Sequence, residues 1–165
     1  MIKLIVTDVD GTLVKDGSRD INPEYFTVFK KLIDKGVSIC AASGRSKDGI
    51  YDLFGPVRDE IYISCNNGTQ ISRNDKIYLK ECISPETVKA IAEKLRSIKG
   101  LNTVIAKNDM VYYFPDASNK FYELITKGYG FNAFKFESYD KISDVSKVCC
   151  FCFEKGENPG FKFRN

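Results

Sequence analysis

The first third of the chain alternates short apolar runs with amphipathic segments. Residues 2–7 form an apolar run typical of a buried strand, and "VSICAA" and "EIYIS" follow as a second and a third strand. Between them, "INPEYFTVFKKLIDKG" predicts a helix with Asn22 as its N-cap and Pro23 at its first helical position. Its apolar residues recur at helical spacing: Phe26, Phe29, Leu32 and Ile33. "KDGIYDLFG" predicts a second, shorter helix.

This strand–helix–strand–helix–strand order indicates parallel strands joined by right-handed crossovers. We therefore expect an α/β fold built on an open, doubly wound, Rossmann-like sheet. After the third strand, "TQISRNDKIYLKE" predicts a hairpin that turns at Arg73–Asp75.

A second unit begins at "SPETVKAIAEKLRSIKG", where Ser84 is the predicted N-cap and Pro85 the first helical residue. Its buried stripe is predicted to be Val88, Ile91, Ala92 and Leu95. "NTVIA" and "MVYYF" predict two strands that turn at Lys107–Asp109, and a helix over 118–127 and a strand "KVCCFCF" follow. The predicted domains are thus 1–82 and an α/β domain over 83–165, whose tail after Phe153 shows no period.

Aromatic residues cluster in the second domain and could form either core or a platform for a substrate. Core is the favoured interpretation, because aromatic stripes at strand and helix spacing are usually buried. These residues are Tyr112, Tyr113, Phe114, Phe121 and Tyr122.

Charge and hydropathy exclude two classes of partner. The 165 residues carry 25 basic and 22 acidic side chains, which are scattered, so we expect no nucleic-acid partner. No apolar run approaches the roughly 20 residues that span a bilayer, so we expect no membrane segment. Strand-like sequence begins at Ile2, which leaves no room for a signal peptide and predicts a cytoplasmic protein.

The chain has no histidine, which excludes Ser-His-Asp and Cys-His catalysis and most zinc sites. Its six cysteines form no CxxC pair and lie in or beside apolar runs, which predicts reduced, buried thiols. They are Cys40, Cys65, Cys82, Cys149, Cys150 and Cys152. Any chemistry must therefore come from carboxylates, hydroxyls, amides, lysines and arginines.

Three short polar turns follow the three parallel strands, namely "DVDGT", "SGRS" and "NNGT". Ligands of open α/β sheets bind beyond the carboxyl ends of the strands, so the three turns predict one crevice. The predicted site residues are Asp8, Asp10, Thr12, Ser43, Gly44, Arg45, Asn66, Asn67 and Gly68.

These residue types suit phosphoryl transfer. Two crowded carboxylates are tolerated beside a divalent cation, and hard oxygen ligands suit magnesium. A carboxylate can also attack phosphorus, while a serine hydroxyl and backbone amides at a helix start can hold phosphate oxygens. Simpler roles stay open for three side chains: Ser43 as a helix cap, Arg45 as a structural ion pair, and Asn66 with Asn67 as turn formers.

"DVDGT" and "SGR" resemble the first two motifs of the haloacid dehalogenase superfamily of phosphohydrolases. The "NNG" turn, the hairpin and the α/β insert resemble its subfamily IIB, the Cof-type phosphatases. The resemblance implies Asp8 as the nucleophile and Asp10 as the acid that protonates the leaving oxygen. It also implies Mg²⁺ held by the Asp8 carboxylate and the Asp10 main-chain carbonyl, with phosphate bound by Ser43, Gly44 and Thr12.

By the same resemblance, the second domain is a cap that selects a small phosphorylated metabolite such as a sugar phosphate. The family's third and fourth motifs, a lysine and a glycine-aspartate turn, are not found, and Lys147 lies where a cap strand begins. We therefore expect an incomplete core with weak or no activity. Two alternatives stay open: a phosphomutase of the same subfamily, and a non-catalytic phosphate-binding or interaction module. The apolar first strand is expected to form a sheet edge that invites self-association.

Overall fold

The computed structural model describes residues 1–15, 18, 20–107, 110–128 and 131–152. The chain divides into two compact units, Met1–Glu81 and Cys82–Asn165, one residue before the predicted boundary. The predicted turn at Lys107–Asp109 and the tail from Phe153 onward lie partly or wholly outside the described residues. Within the described part of the chain, no helix has the length and apolar character needed to cross a membrane.

The first unit contains a five-stranded sheet in the order β1-β2-β3-β4-β5. The strands are β1 Leu4–Asp8, β2 Ser38–Ala42, β3 Tyr62–Cys65, β4 Gln70–Arg73 and β5 Lys76–Lys80. The pairs β1–β2 and β2–β3 are parallel, while β3–β4 and β4–β5 are antiparallel. The predicted α/β fold with a parallel sheet is confirmed.

Helices α1 (Glu24–Asp34) and α2 (Lys47–Leu53) cover one face of this sheet. The ring of Phe29 in α1 stacks on Phe54 at the end of α2, with centroids 6.1 Å apart. The two helices thus share one core with the buried strand residues, which are Ile39, Ala41 and Ile63. Helix α1 begins at Glu24, one residue later than expected, although the Asn22 side chain does accept the Glu24 N–H at 3.0 Å.

The predicted hairpin is formed by β4 and β5. Asn74 and Asp75 have φ of 46° and 61°, and Arg73 pairs with Lys76 across them. Two consecutive left-handed residues make the two-residue turn that best matches strand twist, and asparagine and aspartate tolerate that conformation.

The second unit contains a four-stranded sheet in the order β8-β7-β6-β9. Its strands are β6 Leu101–Lys107, β7 Met110–Tyr113, β8 Asn132–Lys135 and β9 Val145–Cys152. Helix α3 (Pro85–Arg96) packs on one face, and α4 (Asn119–Glu123) with the π-helical turn after it packs on the other. Strand β8 was not predicted, because the four residues "NAFK" show no clear alternation.

The buried stripe of α3 is narrower than predicted. Ser84 caps the helix and Val88 and Ala92 are buried, but Ile91 is 38% exposed. One residue turns an α-helix by about 100°, so Ile91 points well away from the face defined by its neighbour Ala92.

The prediction of buried cysteines is correct for Cys40 and Cys65 only. Cys82 is exposed, because it lies in the segment just before α3 instead of in a strand. The three cysteines of β9 are half-buried, and none of the six cysteines forms a disulfide. Among the aromatic residues, Phe114 and Phe121 are core, whereas Tyr122 is exposed on α4.

Candidate active site

The carboxyl ends of β1, β2 and β3 bring the three predicted turns to one edge of the sheet. Asp8, the last residue of β1, pairs in register with Ala42, and Ala42 pairs with Ser64. The residues that follow each strand therefore leave the sheet side by side. The carboxylate-bearing residue Asp8 is exposed at this edge.

The chain after Asp8 folds into a tight turn around one carbonyl group. The Val9 carbonyl accepts the N–H groups of Thr12, Leu13 and Val14 at 3.3, 2.9 and 3.1 Å. Gly11 adopts φ of 78°, which a residue with a side chain rarely adopts. Thr12 is exposed in this turn, and its N–H is directed to Val9.

Asp10, Ser43 and Arg45 are in direct contact. The Ser43 hydroxyl donates to Asp10 Oδ2 at 3.3 Å and accepts the Arg45 N–H at 3.1 Å. Arg45 Nε lies 3.2 and 3.0 Å from the two oxygens of Asp10, and Nη2 lies 2.6 Å from Oδ1. The ion pair that the sequence left open for Arg45 is therefore formed with the second aspartate of the motif.

The turn after β2 is held by the turn after β3 through backbone hydrogen bonds. The Ser43 N–H donates to the Ser64 carbonyl at 2.9 Å. Asn67 N–H donates to the Ser43 carbonyl at 3.2 Å, and Asn66 N–H donates to the Arg45 carbonyl at 2.8 Å. The "NNG" turn thus fixes the backbone on both sides of Gly44.

The "NNG" turn is left-handed throughout. Asn66, Asn67 and Gly68 have φ of 51°, 61° and 88°. Asparagine and glycine tolerate this conformation better than other residues do, which accounts for their presence here. Gly44 packs closely against the turn, since a Cβ atom placed on it would lie 2.7 Å from Asn67 Oδ1.

Ser46 is the N-cap of α2, because its hydroxyl accepts the Gly49 N–H at 3.3 Å. The alternative role of Ser43 as a helix cap is therefore wrong. One contact of the site was not expected: Arg45 Nη2 donates to the Ser18 carbonyl at 2.7 Å. A main-chain carbonyl is present at every position, so no sequence signal could have indicated it.

The residues at this edge fit magnesium through oxygen ligands. The Asp8 carboxylate is exposed at the strand end, whereas that of Asp10 is engaged by Ser43 and Arg45. Magnesium usually keeps several waters and needs only one or two carboxylates from the protein. In the described part of the chain, no group of three or more His, Cys, Asp or Glu side chains could hold a metal ion. The Asp8 carboxylate and main-chain carbonyls would be candidate oxygen ligands for the ion.

A comparison with known protein families identifies the family to which the chain belongs. Residues 5–160 match the family of haloacid dehalogenase-like hydrolases. The chain belongs to this family. The predicted membership is confirmed, and the match includes the turns that carry Asp8, Asp10 and Ser43.

Individual relatives agree with this assignment. This chain is 33% identical to the phosphoglycolate phosphatase of Methanoculleus marisnigri over 81 residues. The aligned segment covers 47% of this chain and 30% of that protein. The crystal structure of a Eubacterium rectale protein superposes with a TM-score of 0.82 at 31% identity, over 91% of this chain and 57% of that one.

A subclass IIB sugar phosphatase of the same superfamily has the same fold, with a TM-score of 0.68 at 22% identity. That superposition covers 90% of this chain and 58% of the phosphatase. The chain thus spans little more than half the length of these two solved structures.

Proposed function

We propose that the protein is a phosphoric monoester hydrolase that acts on a small phosphorylated metabolite through an aspartyl-phosphate intermediate. One observation carries the proposal. Asp10, which lies two residues after Asp8 at the carboxyl edge of the parallel strands, contacts both Ser43 and Arg45. In this proposal the first unit is the catalytic core and the second is the cap that selects the substrate.

In the first step, an Asp8 carboxylate oxygen attacks the phosphorus atom, and the bond from phosphorus to the leaving oxygen breaks. Asp10 donates a proton to that oxygen, so the alcohol leaves neutral. In the second step, Asp10 accepts a proton from water as the water oxygen attacks the phosphorus of the aspartyl-phosphate. The bond from phosphorus to Asp8 then breaks, which releases phosphate and restores the carboxylate.

Ser43 is proposed to hold the transferring group. Its hydroxyl oxygen accepts the Arg45 N–H, and its hydroxyl proton is donated to Asp10. If the hydroxyl group turns away from Asp10, it can donate this proton to a phosphoryl oxygen instead. The backbone around Gly44 and Thr12 is proposed to complete the phosphate site. Asp8 and the Asp10 carbonyl would hold Mg²⁺, which when bound supplies positive charge that offsets the charge of the phosphoryl oxygens.

The substrate class is supported by the relatives. One relative is named a phosphoglycolate phosphatase and one solved structure a sugar phosphatase, and both names describe small phosphorylated substrates. We therefore propose a substrate of this size, selected by the second unit.

The test is hydrolysis of p-nitrophenyl phosphate and small sugar phosphates by the full chain with Mg²⁺. Asp8→Asn should lower the rate at least about a thousandfold, because loss of a nucleophile removes the reaction path. The matched control is Asp34→Asn, which changes an exposed aspartate at the end of α1. A chelator should abolish the activity and Mg²⁺ restore it. If Asp8→Asn keeps more than about a tenth of the rate, the assignment is wrong.

A further inference from the structure

The guanidinium group of Arg45 holds the Asp10 carboxylate side-on. Nε contacts both carboxylate oxygens, at 3.2 and 3.0 Å, and Nη2 contacts Oδ1 at 2.6 Å. A planar fork of this kind fixes the plane of the carboxylate as well as its distance, which a single ammonium group cannot do. The pair is partly shielded from solvent, since the Arg45 side chain is 20% exposed and the Asp10 side chain is 33% exposed.

Arg45 is itself fixed by the segments around it. Its N–H donates to the Ser43 hydroxyl at 3.1 Å, and its carbonyl accepts the Asn66 N–H at 2.8 Å. At the far end of the side chain, Nη2 donates to the Ser18 carbonyl at 2.7 Å. Arg45 therefore contacts the turn after β1 through its guanidinium and the turn after β3 through its main-chain carbonyl.

We propose that Arg45 is the positioning residue for Asp10. It orients the carboxylate that, in the function proposed above, gives a proton to the leaving oxygen and later takes one from water. The inference rests on that proposed function, because this proton movement is a step of the proposed hydrolysis. Asp10 lies on a turn, so without Arg45 its carboxylate would sample several rotamers, and fewer of them would face the leaving group.

A purely structural ion pair predicts a different result. It would lower stability when removed, but kcat per folded molecule would stay the same. A positioning role predicts a fall in kcat with little change in KM, since Arg45 is used by Asp10 and not by the substrate.

Kinetics of three variants of the full chain separate these roles. Arg45→Ala should lower kcat by about tenfold to a hundredfold and change KM by less than about threefold. Guanidinium ion at millimolar concentration should restore part of that rate in Arg45→Ala, whereas Arg45→Lys, which lacks the fork, should stay impaired. Arg58→Gln, which changes a half-exposed arginine of the same unit, should match the wild type. An unchanged kcat in Arg45→Ala, or a loss that guanidinium ion does not restore, would overturn the inference.

A second measurement tests the contact between Arg45 and Asp10 without using enzymatic activity. In ¹⁵N-edited NMR spectra, the Arg45 Nε–H signal should shift in Asp10→Asn and stay unchanged in Asp8→Asn. If the wild-type chain hydrolyses none of the phosphates, the proposed function fails for this chain, and the NMR result alone decides the pairing. An Nε–H signal that is the same in wild type and Asp10→Asn would refute the inference even if the chain is an active phosphatase.

Discussion

Gly44 and Asn67 control how closely two turns of the site approach each other. A Cβ atom on Gly44 would lie 2.7 Å from Asn67 Oδ1, so the Asn67 side chain would have to move to accommodate it. On either side of Gly44, the carbonyls of Ser43 and Arg45 accept N–H groups of the "NNG" turn. The position of the Ser43 hydroxyl and of the Arg45 side chain thus depends on this contact.

Gly44→Ala should therefore destabilise the protein by about 1 kcal/mol, the lower end of the usual cost of overpacking, because the Asn67 side chain must move. In an Asn67→Gly background the same change should cost much less, because the side chain that the new methyl group meets is absent. Glycine also tolerates the φ of 61° at position 67, so this background adds no backbone strain. Urea unfolding of the four proteins measures the coupling. Equal costs of Gly44→Ala in both backgrounds would contradict the contact.

The placement of the candidate site residues at one sheet edge could be predicted from sequence better than their contacts could. Asp8, Asp10 and Ser43 follow predicted strands, and strand ends fix which edge they occupy. The partner of Arg45 could not be predicted, because a long side chain reaches several segments whose spacing depends on the whole fold. Asn66 and Asn67 agree with their interpretation as turn formers, since both are left-handed, but their hydrogen bonds to Arg45 and Ser43 could not be predicted for the same reason.

At the scale of elements, α2 is tied to the β4–β5 turn by an ion pair. Lys47 Nζ lies 2.7 Å from Asp75 Oδ1. This hydrogen bond lowers the pKa of Asp75 below its ordinary value of 3.8, and it raises the pKa of Lys47 above 10.5. Since the folded-state pKa of Asp75 is depressed, its contribution to stability is present above the unfolded pKa and is lost as the pH falls through the folded value.

Asp75→Asn should therefore lower stability slightly at pH 7 and make no difference at about pH 2, where the Asp75 carboxyl is protonated in the unfolded state and loses its ion pair in the folded state. The effect should be small, because exposed ion pairs contribute little, and asparagine tolerates the φ of 61° at this position. Urea midpoints of wild type and variant at the two pH values provide the measurement, with Lys47→Gln as the matched change on the other partner. If the urea midpoints of wild type and Asp75→Asn differ by the same amount at both pH values, the ion pair is not the cause of that difference.

Elements with strong periodicity were predictable, and weaker ones were not. The strands of the parallel sheet and helices α1 to α3 followed from apolar runs and capping residues. The end of α4 was predicted as regular helix to Lys127, yet Leu124–Gly128 forms a π-helical turn, which local propensity does not encode. Strand β8 has only four residues, and it is defined by its pairing with β7 instead of by its own pattern.

At the scale of the molecule, β1 is an edge of the sheet within the described residues, as the sequence predicts. Its side chains Leu4 and Val6 are 52% and 58% exposed, and Ile2 just before it is 68% exposed. An apolar parallel strand at an edge offers both hydrogen-bonding groups and apolar surface to another chain. We therefore predict self-association through this strand.

Val6→Lys should prevent that association, because a charged side chain on an edge strand opposes pairing. The matched control is Ile77→Lys, which changes a residue that is 52% exposed on β5, at the opposite edge of the sheet. Light scattering over a dilution series should show wild type and Ile77→Lys associating and Val6→Lys monomeric. A wild-type chain that is monomeric at micromolar concentration, or a Val6→Lys variant that associates equally, would contradict the prediction.

The central claim is that Asp8 receives the phosphoryl group. Its most direct test mixes the full chain with Mg²⁺ and a small phosphate donor, quenches in acid, and locates any phosphorylated residue by peptide mass spectrometry. Phosphate is expected on Asp8, and no phosphorylated peptide is expected in Asp8→Asn. Phosphate on another residue, or turnover of the donor without any phosphorylated aspartate in the quenched samples, would contradict it.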